Sequence, residues 1–215
     1  MELFVLGDQN SAANHFLKDL RDKNVQKDRM RFRKNLERLG EIMAFEISKE
    51  LDYVREEVET PLGRSVSNIL ERNPILITIL RAGLPYFSGF QNIFDSADCG
   101  FIGAYRQEND QGIRIKLDYL ATRVIEKADV ILIDPMLATG RSIVDAVNEL
   151  LKRGKPNYLH VEVLVAAPEG IEYLKTNIKT PFTLWTFAVD EKLNEQFYIV
   201  PGLGDAGDLS FGEKL

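Results

Sequence analysis

The sequence predicts an α/β protein with a mostly parallel sheet that carries helices on both faces. Short, wholly apolar segments such as residues 130–133 are typical of strands that are buried on both sides. Segments with helical periodicity separate these strands, as in folds built from strand–helix–strand units. The 215 residues contain no internal repeat and no linker-like segment, which predicts one domain over residues 1–215.

The first third of the chain is predicted to be a helical extension. Ser11 is placed to cap a short helix that runs towards Leu20. A longer amphipathic helix follows, and we expect it to pack on the protein's own sheet, with a dimer contact as the alternative. Its apolar residues, at three- or four-residue steps, are Phe32, Leu36, Leu39, Met43, Ile47 and Leu51.

From residue 74 onwards, strands and helices alternate. The predicted strands cover residues 74–80, 100–105, 113–120, 130–133, 160–165 and 182–187. The predicted helices cover residues 84–94, 142–151 and 168–175. Residues 113–120 alternate apolar and polar side chains, which predicts an exposed or edge strand, and the polar residues 106–112 are predicted to form a loop. Ligands bind beyond the carboxyl ends of parallel strands, so residues directly after each strand are the functional candidates.

Composition excludes several classes of protein. With 27 Lys and Arg against 33 Asp and Glu, the formal charge is −6, which argues against general nucleic-acid binding. The single cysteine, Cys99, excludes an internal disulfide and a cysteine-cluster zinc site. No apolar run approaches the roughly 20 residues of a membrane span, and the N-terminus shows no signal-peptide pattern. We therefore expect a cytoplasmic protein with neither nucleic-acid nor membrane partners.

The segment after residues 130–133 combines an acid with a phosphate-binding turn. Asp134 ends the strand, small and hydroxyl residues follow, and a helix is predicted to begin near Ser142. A helix N-terminus offers unpaired N–H groups, and Gly140 lets the backbone approach an anion closely. Since Asp134 can accept hydrogen bonds from ribose hydroxyls, the segment predicts a ribose-5-phosphate site. The alternative is an ordinary strand-to-helix turn that Ser142 caps.

Two arginines follow neighbouring predicted strands. Arg81 is followed by the small residues Ala82 and Gly83, and a fixed cation beside exposed amides suits a second, more highly charged phosphate group. Arg106 follows the next strand and is predicted to lie at the same edge of the sheet. A surface arginine at a turn is the alternative for either residue alone.

The tail, residues 198–208, is rich in glycine. Gly202, Gly204 and Gly207 match the spacing G-x-G-x-x-G, but only eight residues follow, too few for a dinucleotide-binding unit. We predict a tight loop whose amides and carbonyls contact a small flat ligand. The Asp205 carboxylate in this loop can accept a hydrogen bond from a donor group or lie near a metal ion.

Together these segments resemble the uracil phosphoribosyltransferase family, which has the type I phosphoribosyltransferase fold. Asp-Pro-Met-Leu-Ala-Thr-Gly at residues 134–140 is similar to that family's motif for phosphoribosyl pyrophosphate (PRPP). Residues 201–208 are similar to its uracil-binding segment, and residues 20–24, 59–63 and 80–83 also match. The resemblance covers nearly the whole chain and implies that the tail forms a C-terminal hood over the site.

The resemblance implies transfer of the 5-phosphoribosyl group from PRPP to uracil, giving UMP and pyrophosphate in pyrimidine salvage. Asp134 would bind the ribose hydroxyls, residues 138–142 the 5-phosphate, and Arg81 and Arg106 the pyrophosphate. The PRPP-binding residues implied in this way are Arg81, Arg106, Asp134, Pro135, Met136, Leu137, Ala138, Thr139, Gly140, Arg141, Ser142 and Asp205. The implied uracil-binding residues are Ile199, Gly204, Asp205 and Ala206. The implied catalytic residues are Arg81, Arg106 and Asp205, and no side chain stands out as a general base.

The resemblance also implies ligands and partners. The family uses Mg²⁺ carried in with PRPP rather than on a direct protein site, forms homodimers or larger homo-oligomers, and in some members is activated by GTP. Two alternatives stay open: an RNA-binding regulator of pyrimidine genes built on the same fold, and a transferase for another nucleobase.

The chain departs from the family pattern in two places. The family usually has Gly-Gly-Ser where this chain has Gly140, Arg141 and Ser142. Arg141 carries strain if its position needs a positive φ, and otherwise adds a cation to the phosphate site. Residues 107–119 lack the expected acid and proline pattern of the mobile segment, which bears on closure of the site, catalytic rate and the GTP response.

Overall fold

The computed structural model describes residues 1–109 and 112–213, and the side chains within residues 104–118 are outside that description. The helices are α1 (Ala13–Arg21), α2 (Arg29–Ser48), α3 (Leu84–Ile93), α4 (Arg141–Leu151), α5 (Pro168–Asn177) and α6 (Ala206–Phe211). The strands are β1 (Glu2–Val5), β2 (Tyr53–Thr60), β3 (Gly63–Leu70), β4 (Ile75–Leu80), β5 (Asp98–Asn109), β6 (Gly112–Ala121), β7 (Asp129–Ile133), β8 (Met136–Leu137), β9 (Tyr158–Ala166), β10 (Phe182–Val189), β11 (Lys192–Leu193) and β12 (Ile199–Val200).

The main sheet is mostly parallel, as predicted. In the part of the chain that the structure describes, its strands lie in the order β1-β10-β9-β7-β4-β5-β6, with β8 paired to β9. Strands β4, β7 and β9 pair in parallel at its centre, and only β5 and β6 pair antiparallel. The carboxyl ends of β4 and β7 therefore lie side by side, which brings the segments after them to one edge.

Each face of the sheet is covered by its own helices. Along β4 and β7, side chains alternate between two separate apolar clusters, as the two-residue period of a strand requires. One cluster contains Leu76 and Ile133 with the buried faces of α2 and α3. The other contains Ile77 and Leu132 with α4 and α5. This arrangement confirms the predicted fold class.

The two helices predicted for the first third of the chain are confirmed, but this third is not wholly helical, because it also contains β1, β2 and β3. Asp28 caps α2 by accepting from the Arg31 N–H at 3.1 Å, and every apolar residue predicted for the buried face of this helix is buried. The segment Glu2–Val5 was not predicted as a strand, but it pairs in parallel with β10 at the edge of the sheet.

The hairpin of β2 and β3 was not predicted either. Its residues are exposed from Tyr53 to Ile69, including Val54, Val58 and Val66. With neither face buried in the chain, the usual apolar–polar alternation gives no signal.

The predicted loop at residues 106–112 was wrong. Strand β5 continues to Asn109 and β6 begins at Gly112, so Arg106 lies within a strand, opposite Ile115. Antiparallel ladder bonds form between backbones whatever the side chains, so a polar composition does not prevent a strand at a sheet edge. Strand β6 confirms the edge strand predicted for residues 113–120.

Within the described ranges, none of the helices combines the length and the apolar composition that crossing a membrane requires.

Candidate active site

The turn after β7 ends at a glycine that begins helix α4. Gly140 is the N-cap residue of α4 and has a left-handed φ of 78°. A Cβ at this position would lie 2.6 Å from Leu174 Cδ1 and 3.0 Å from Gly170 O, so packing as well as backbone geometry favours glycine. Since glycine has no side chain to cap the helix, the first N–H groups of α4 stay available for an anion. The turn therefore has the backbone geometry that the predicted phosphate site requires, and its N-cap is Gly140 rather than Ser142, the cap of the alternative interpretation.

Arg141 takes the first helical position rather than the left-handed one. The positive φ falls on Gly140, and α4 begins at Arg141. The open alternative is thereby resolved, because Arg141 carries no backbone strain. Its side chain is exposed at the positive end of α4.

Asp134 lies between β7 and the turn, next to strand β9. Its N–H donates to Glu162 O at 3.0 Å, and its Oδ1 accepts from the Met136 N–H at 3.4 Å. Removal of the carboxyl from water raises the pKa of Asp134 to about 7, against the opposing effect of the Met136 N–H. A carboxyl with such a pKa changes charge near neutral pH, so its ability to accept from two hydroxyls depends on pH.

Below Asp134 lies a buried acid that the sequence analysis missed. Glu162 on β9 is fully buried, and its Oε1 accepts from the hydroxyl of Tyr86 on α3, which is fully buried too. Burial, reinforced by the Asp134 charge, raises the pKa of Glu162 well above its ordinary value, although the Tyr86 hydrogen bond opposes this. A signal was present in the sequence: Glu162 is a lone acid among valines and leucine in a predicted strand.

The pKa of Tyr86 is also raised well above its usual value, first by burial and then by the Glu162 charge. Both buried groups therefore keep their protons to higher pH than the same groups in water.

Arg81 follows β4 directly and reaches the far end of the chain. Its Nη2 donates to Asp208 Oδ1 and to Gly212 O, each at 3.2 Å. Its Nε is buried and has no hydrogen-bond partner among the described residues. An unpaired buried donor on a fixed cation is suited to an anionic ligand oxygen. Asp208 was not among the predicted site residues, although it lies in the tail.

The strand ends beneath Arg81 are held together. Thr78 on β4 donates through Oγ1 to Ile133 O on β7 at 3.2 Å. A Cβ at Gly83 would lie 2.1 Å from that Oγ1, so the turn after Arg81 packs directly on this contact. Arg81 and Asp134 therefore follow two strands whose ends are linked.

The tail forms a tight turn and then α6. Gly202 and Gly204 have φ of 59° and 93°, and Asp205 caps α6 by accepting from the Asp208 N–H at 2.9 Å. Ile199 and Ala206 are buried in the apolar cluster that also contains Ile133.

Helix α6 packs on α2, and Arg33 donates to Ser210 O at 2.8 Å. The structure thus brings the tail to the same edge as Arg81 and the turn after β7.

Of the remaining predicted residues, Pro135 and Leu137 are buried, whereas Met136, Ala138 and Thr139 are partly exposed. Arg106 lies on β5, but its side chain is outside the described residues. Residues 107–119, where the sequence departs from the family pattern, also lie mostly among the side chains that the structure does not describe. In the described part of the chain, no group of three or more His, Cys, Asp or Glu could hold a metal ion.

Comparisons with known proteins identify the family to which the chain is similar. The family model for uracil phosphoribosyltransferase matches residues 7–213. The uracil phosphoribosyltransferase of Porphyromonas gingivalis is 43% identical over 216 residues and covers 100% of both chains. That of Malacoplasma penetrans is 39% identical over 194 residues, covering 90% of this chain and 93% of its own. The solved structure of the AQ2163 protein from Aquifex aeolicus matches with a TM-score of 0.87 and 30% identity, covering 98% of each chain.

Proposed function

Because the chain belongs to the uracil phosphoribosyltransferase family, we propose that the carboxyl edge of its sheet binds PRPP and uracil and forms UMP and pyrophosphate there. The observation that carries this conclusion is identity of 43% along the full length of both this chain and the Porphyromonas gingivalis enzyme. The geometry at that edge supports the following role for each segment.

The N-terminus of α4 binds the 5-phosphate. Gly140 places the backbone so that the first N–H groups of α4 converge on an anion, and the positive end of the helix favours negative charge there. Thr139 and Ser142 add hydroxyl donors. Arg141, free of strain, adds a cation at the rim of this phosphate site.

Asp134 binds the ribose. It is next to the phosphate site along the chain, and a carboxylate accepts from two hydroxyls at once. The hydrogen bond between the Asp134 N–H and Glu162 O fixes its backbone to β9. The sugar is thereby held in one orientation while its phosphate is held by α4.

Arg81 binds the pyrophosphate, with Arg106 as a second cation. A phosphate oxygen can accept from the unpaired Nε of Arg81, and another can replace Asp208 as the acceptor for Nη2. The Ala82 N–H can add a neutral donor, whereas the Gly83 N–H, predicted to face the ligand, donates to Ile79 O at 3.2 Å. Negative charge grows on pyrophosphate as it leaves, so these donors act most strongly in the transition state.

The tail binds uracil. Backbone groups at Ile199, Gly204 and Ala206 are suited to the ring's alternating carbonyl and N–H groups, and Asp205 lies on the PRPP side of this turn. The left-handed conformation of Gly204 directs its peptide groups in a way that other residues rarely adopt.

The chemistry needs positioning and charge stabilisation rather than an acid–base residue. The bond from ribose C1 to pyrophosphate breaks ahead of attack by uracil N1, which leaves positive charge on the ribose ring. The turn after β7 fixes C1, and the tail fixes N1 in line with it. Arg81 stabilises the departing pyrophosphate, and the N1 proton of uracil passes to solvent.

Mg²⁺ fits this site as an ion that enters with PRPP. A Mg²⁺ ion bound by substrate phosphates needs only one or two protein carboxylates. Asp205 and Asp208 each use Oδ1 in a hydrogen bond, which leaves the second oxygen of each carboxylate for the ion or its waters. When bound, the ion neutralises charge on the pyrophosphate.

The functional assay is direct. Purified protein is incubated with PRPP, Mg²⁺ and one of uracil, cytosine, orotate or hypoxanthine, and nucleotide and pyrophosphate are measured by chromatography. We expect UMP and pyrophosphate in equal amounts with uracil alone. Nucleotide from another base and none from uracil would instead support a transferase for that base, and no nucleotide from any base would reject the proposal.

We also propose that the protein forms a homodimer or a larger homo-oligomer. Its proposed location is the cytoplasm. The hairpin of β2 and β3 supports self-association, because it exposes Val54, Val58 and Val66 without covering them within the chain. Light scattering after size exclusion tests this, and we expect Val58→Glu with Val66→Glu to lower the molar mass.

Adding GTP to the uracil assay tests whether this chain shares the activation seen in some members of the family.

A further inference from the structure

Arg21 and Asp190 form a partly buried ion pair outside the site residues assigned above. Arg21 is the last residue of α1, and Asp190 follows β10. Nη1 of Arg21 lies 2.8 Å from Asp190 Oδ2, and Nη2 lies 2.7 Å from Oδ1. The Asp190 side chain is only 6% exposed, and that of Arg21 is 23% exposed. This is the two-point geometry that only arginine offers a carboxylate.

Both groups of this pair also hold the backbone of one residue of the tail, Gly202. Gly202 N–H donates to Asp190 Oδ2 at 2.7 Å, and Gly202 O accepts from Arg21 Nη1 at 3.0 Å. Gly202 has a φ of 59°, and a Cβ there would lie 2.2 Å from Ile199 O. The backbone is therefore fixed on both sides of a residue that lies between Ile199 and Gly204.

The pair is itself anchored to the sheet and to the loop after α1. Asp190 N–H donates to Ala166 O at 2.8 Å, which ties it to the end of β9. Gln26 Nε2 donates to Arg21 O at 3.3 Å. The side-chain oxygen of Gln26 would lie 4.0 Å from a Cβ on Gly204, so this loop reaches the same turn.

We propose that Arg21 and Asp190 are positioning residues for uracil: they orient the two peptide groups that flank Gly202 and so set the spacing of the backbone groups that select the base. This inference rests on the proposed function, because it assumes that the tail binds uracil. The pair touches neither Arg81 nor the turn after β7 in the hydrogen bonds described, so its effect is expected on uracil and not on PRPP.

The geometry predicts what each substitution does. Arg21→Met keeps much of the apolar stem but removes every donor, so Gly202 O and the Asp190 carboxylate lose their partner. Arg21→Lys keeps the charge but loses the two-point fork, so it is expected to have a smaller effect in the same direction. Asp190→Asn keeps an acceptor for the Gly202 N–H and weakens the contact with Arg21.

The experiment compares steady-state kinetics of the full chain and these variants. The matched control is Arg123→Met, which breaks an exposed ion pair with Asp98, the first residue of β5, at the opposite edge of the sheet. For Arg21→Met we expect KM for uracil to rise by about 10-fold or more, KM for PRPP to stay within about twofold, and a smaller uracil effect in Arg21→Lys. Hydrogen exchange should quicken in the peptide that contains Gly202 and not in the turn after β7.

The experiment distinguishes a failure of this inference from a failure of the proposed function. An unchanged KM for uracil in Arg21→Met, or an equal rise of both KM values together with general loss of exchange protection, would overturn the inference. If Arg21→Met does not fold, the ratio of KM for uracil to KM for PRPP in Arg21→Lys and in Asp190→Asn tests the inference instead. If wild type and Arg123→Met make no UMP, the proposed function has failed and the inference with it, whereas active wild type with an unaltered ratio in the variants rejects the inference alone.

Discussion

Arg81 Nη2 lies 3.2 Å from Asp208 Oδ1, so the cation that follows β4 is paired with an acid in the tail. The two residues are separated by 127 positions in the chain, yet they link the proposed pyrophosphate site to the proposed uracil site. A ligand oxygen that takes the place of Asp208 on Arg81 would also free Asp208 for Mg²⁺. Binding of PRPP is therefore expected to reorganise the tail contact rather than to fill an inert pocket.

The first prediction concerns Arg81. Arg81→Ala removes both the unpaired Nε and the Nη2 donor, and loss of such a charge-stabilising group costs roughly 3 to 4 kcal/mol in the barrier. We expect kcat to fall by about a hundredfold or more. Steady-state assays check this, with Arg123→Ala as a control at a distant ion pair. A variant that keeps near-normal kcat would remove Arg81 from the pyrophosphate role.

The second prediction concerns Gly140. Gly140→Ala forces a side chain into the left-handed conformation and against Leu174, at a cost of about 1 to 3 kcal/mol in stability. We expect a lower melting temperature together with weaker PRPP binding.

Ser142→Ala is the informative comparison, because it removes a phosphate donor without backbone strain. Ser142→Ala should weaken PRPP binding and leave the melting temperature nearly unchanged. If Ser142→Ala and Gly140→Ala lowered the melting temperature equally, the assignment of a phosphate site at the start of α4 would be contradicted.

The third prediction concerns Asp134 and pH. Its pKa of about 7 means that the free protein holds a proton there on the acid side of neutrality. Since the ribose hydroxyls need an ionised acceptor, PRPP binding should strengthen as pH rises from about 6 and level off near pH 8. Calorimetry on wild type and Asp134→Asn at each pH separates this titration from that of PRPP itself. The same pH dependence in Asp134→Asn would place the titrating group elsewhere.

The fourth prediction concerns the buried Glu162. Its folded-state pKa is raised, so the unfolded chain releases this proton at lower pH than the folded protein does. The contribution of Glu162 to stability is therefore full below pH 4.5 and is lost as pH rises towards the folded pKa. Glu162→Gln cannot ionise, so relative to wild type it should gain up to about 1.4 kcal/mol per pH unit above pH 5.

Urea unfolding of wild type and Glu162→Gln from pH 5 to 8 measures this difference. The buried His160 titrates in both proteins and cancels in the comparison. Glu172→Gln on the exposed face of α5 serves as the control. A difference that does not change with pH would show that Glu162 has an ordinary pKa.

Strongly apolar segments made most of the fold predictable. The strands at Ile75–Leu80 and Asp129–Ile133 are buried on both faces, so composition alone identifies them and orders the segments that follow. The hairpin of β2 and β3 was missed because its residues are exposed, and burial is the source of the strand pattern. The extension of β5 through Arg106 depends on pairing with β6, which is a tertiary contact and not a local preference.

The placement of the candidate site residues was predictable where residue type and position coincide along the chain. Asp134, Gly140 and Arg81 each follow a strand, and the structure brings these segments to one edge. The pairing of Arg81 with Asp208 and the chain from Tyr86 through Glu162 towards Asp134 were not predictable in this way. They depend on which side chains meet across 127 and 76 positions, which only the folded arrangement determines.

A crystal structure of the full chain with UMP tests the central claim most directly. We predict the 5′-phosphate on the N–H groups at the start of α4, the ribose hydroxyls on Asp134, and the uracil ring against the backbone of Ile199, Gly204 and Ala206. A nucleotide whose base lies away from residues 199–206, or whose phosphate lies away from α4, would contradict the account.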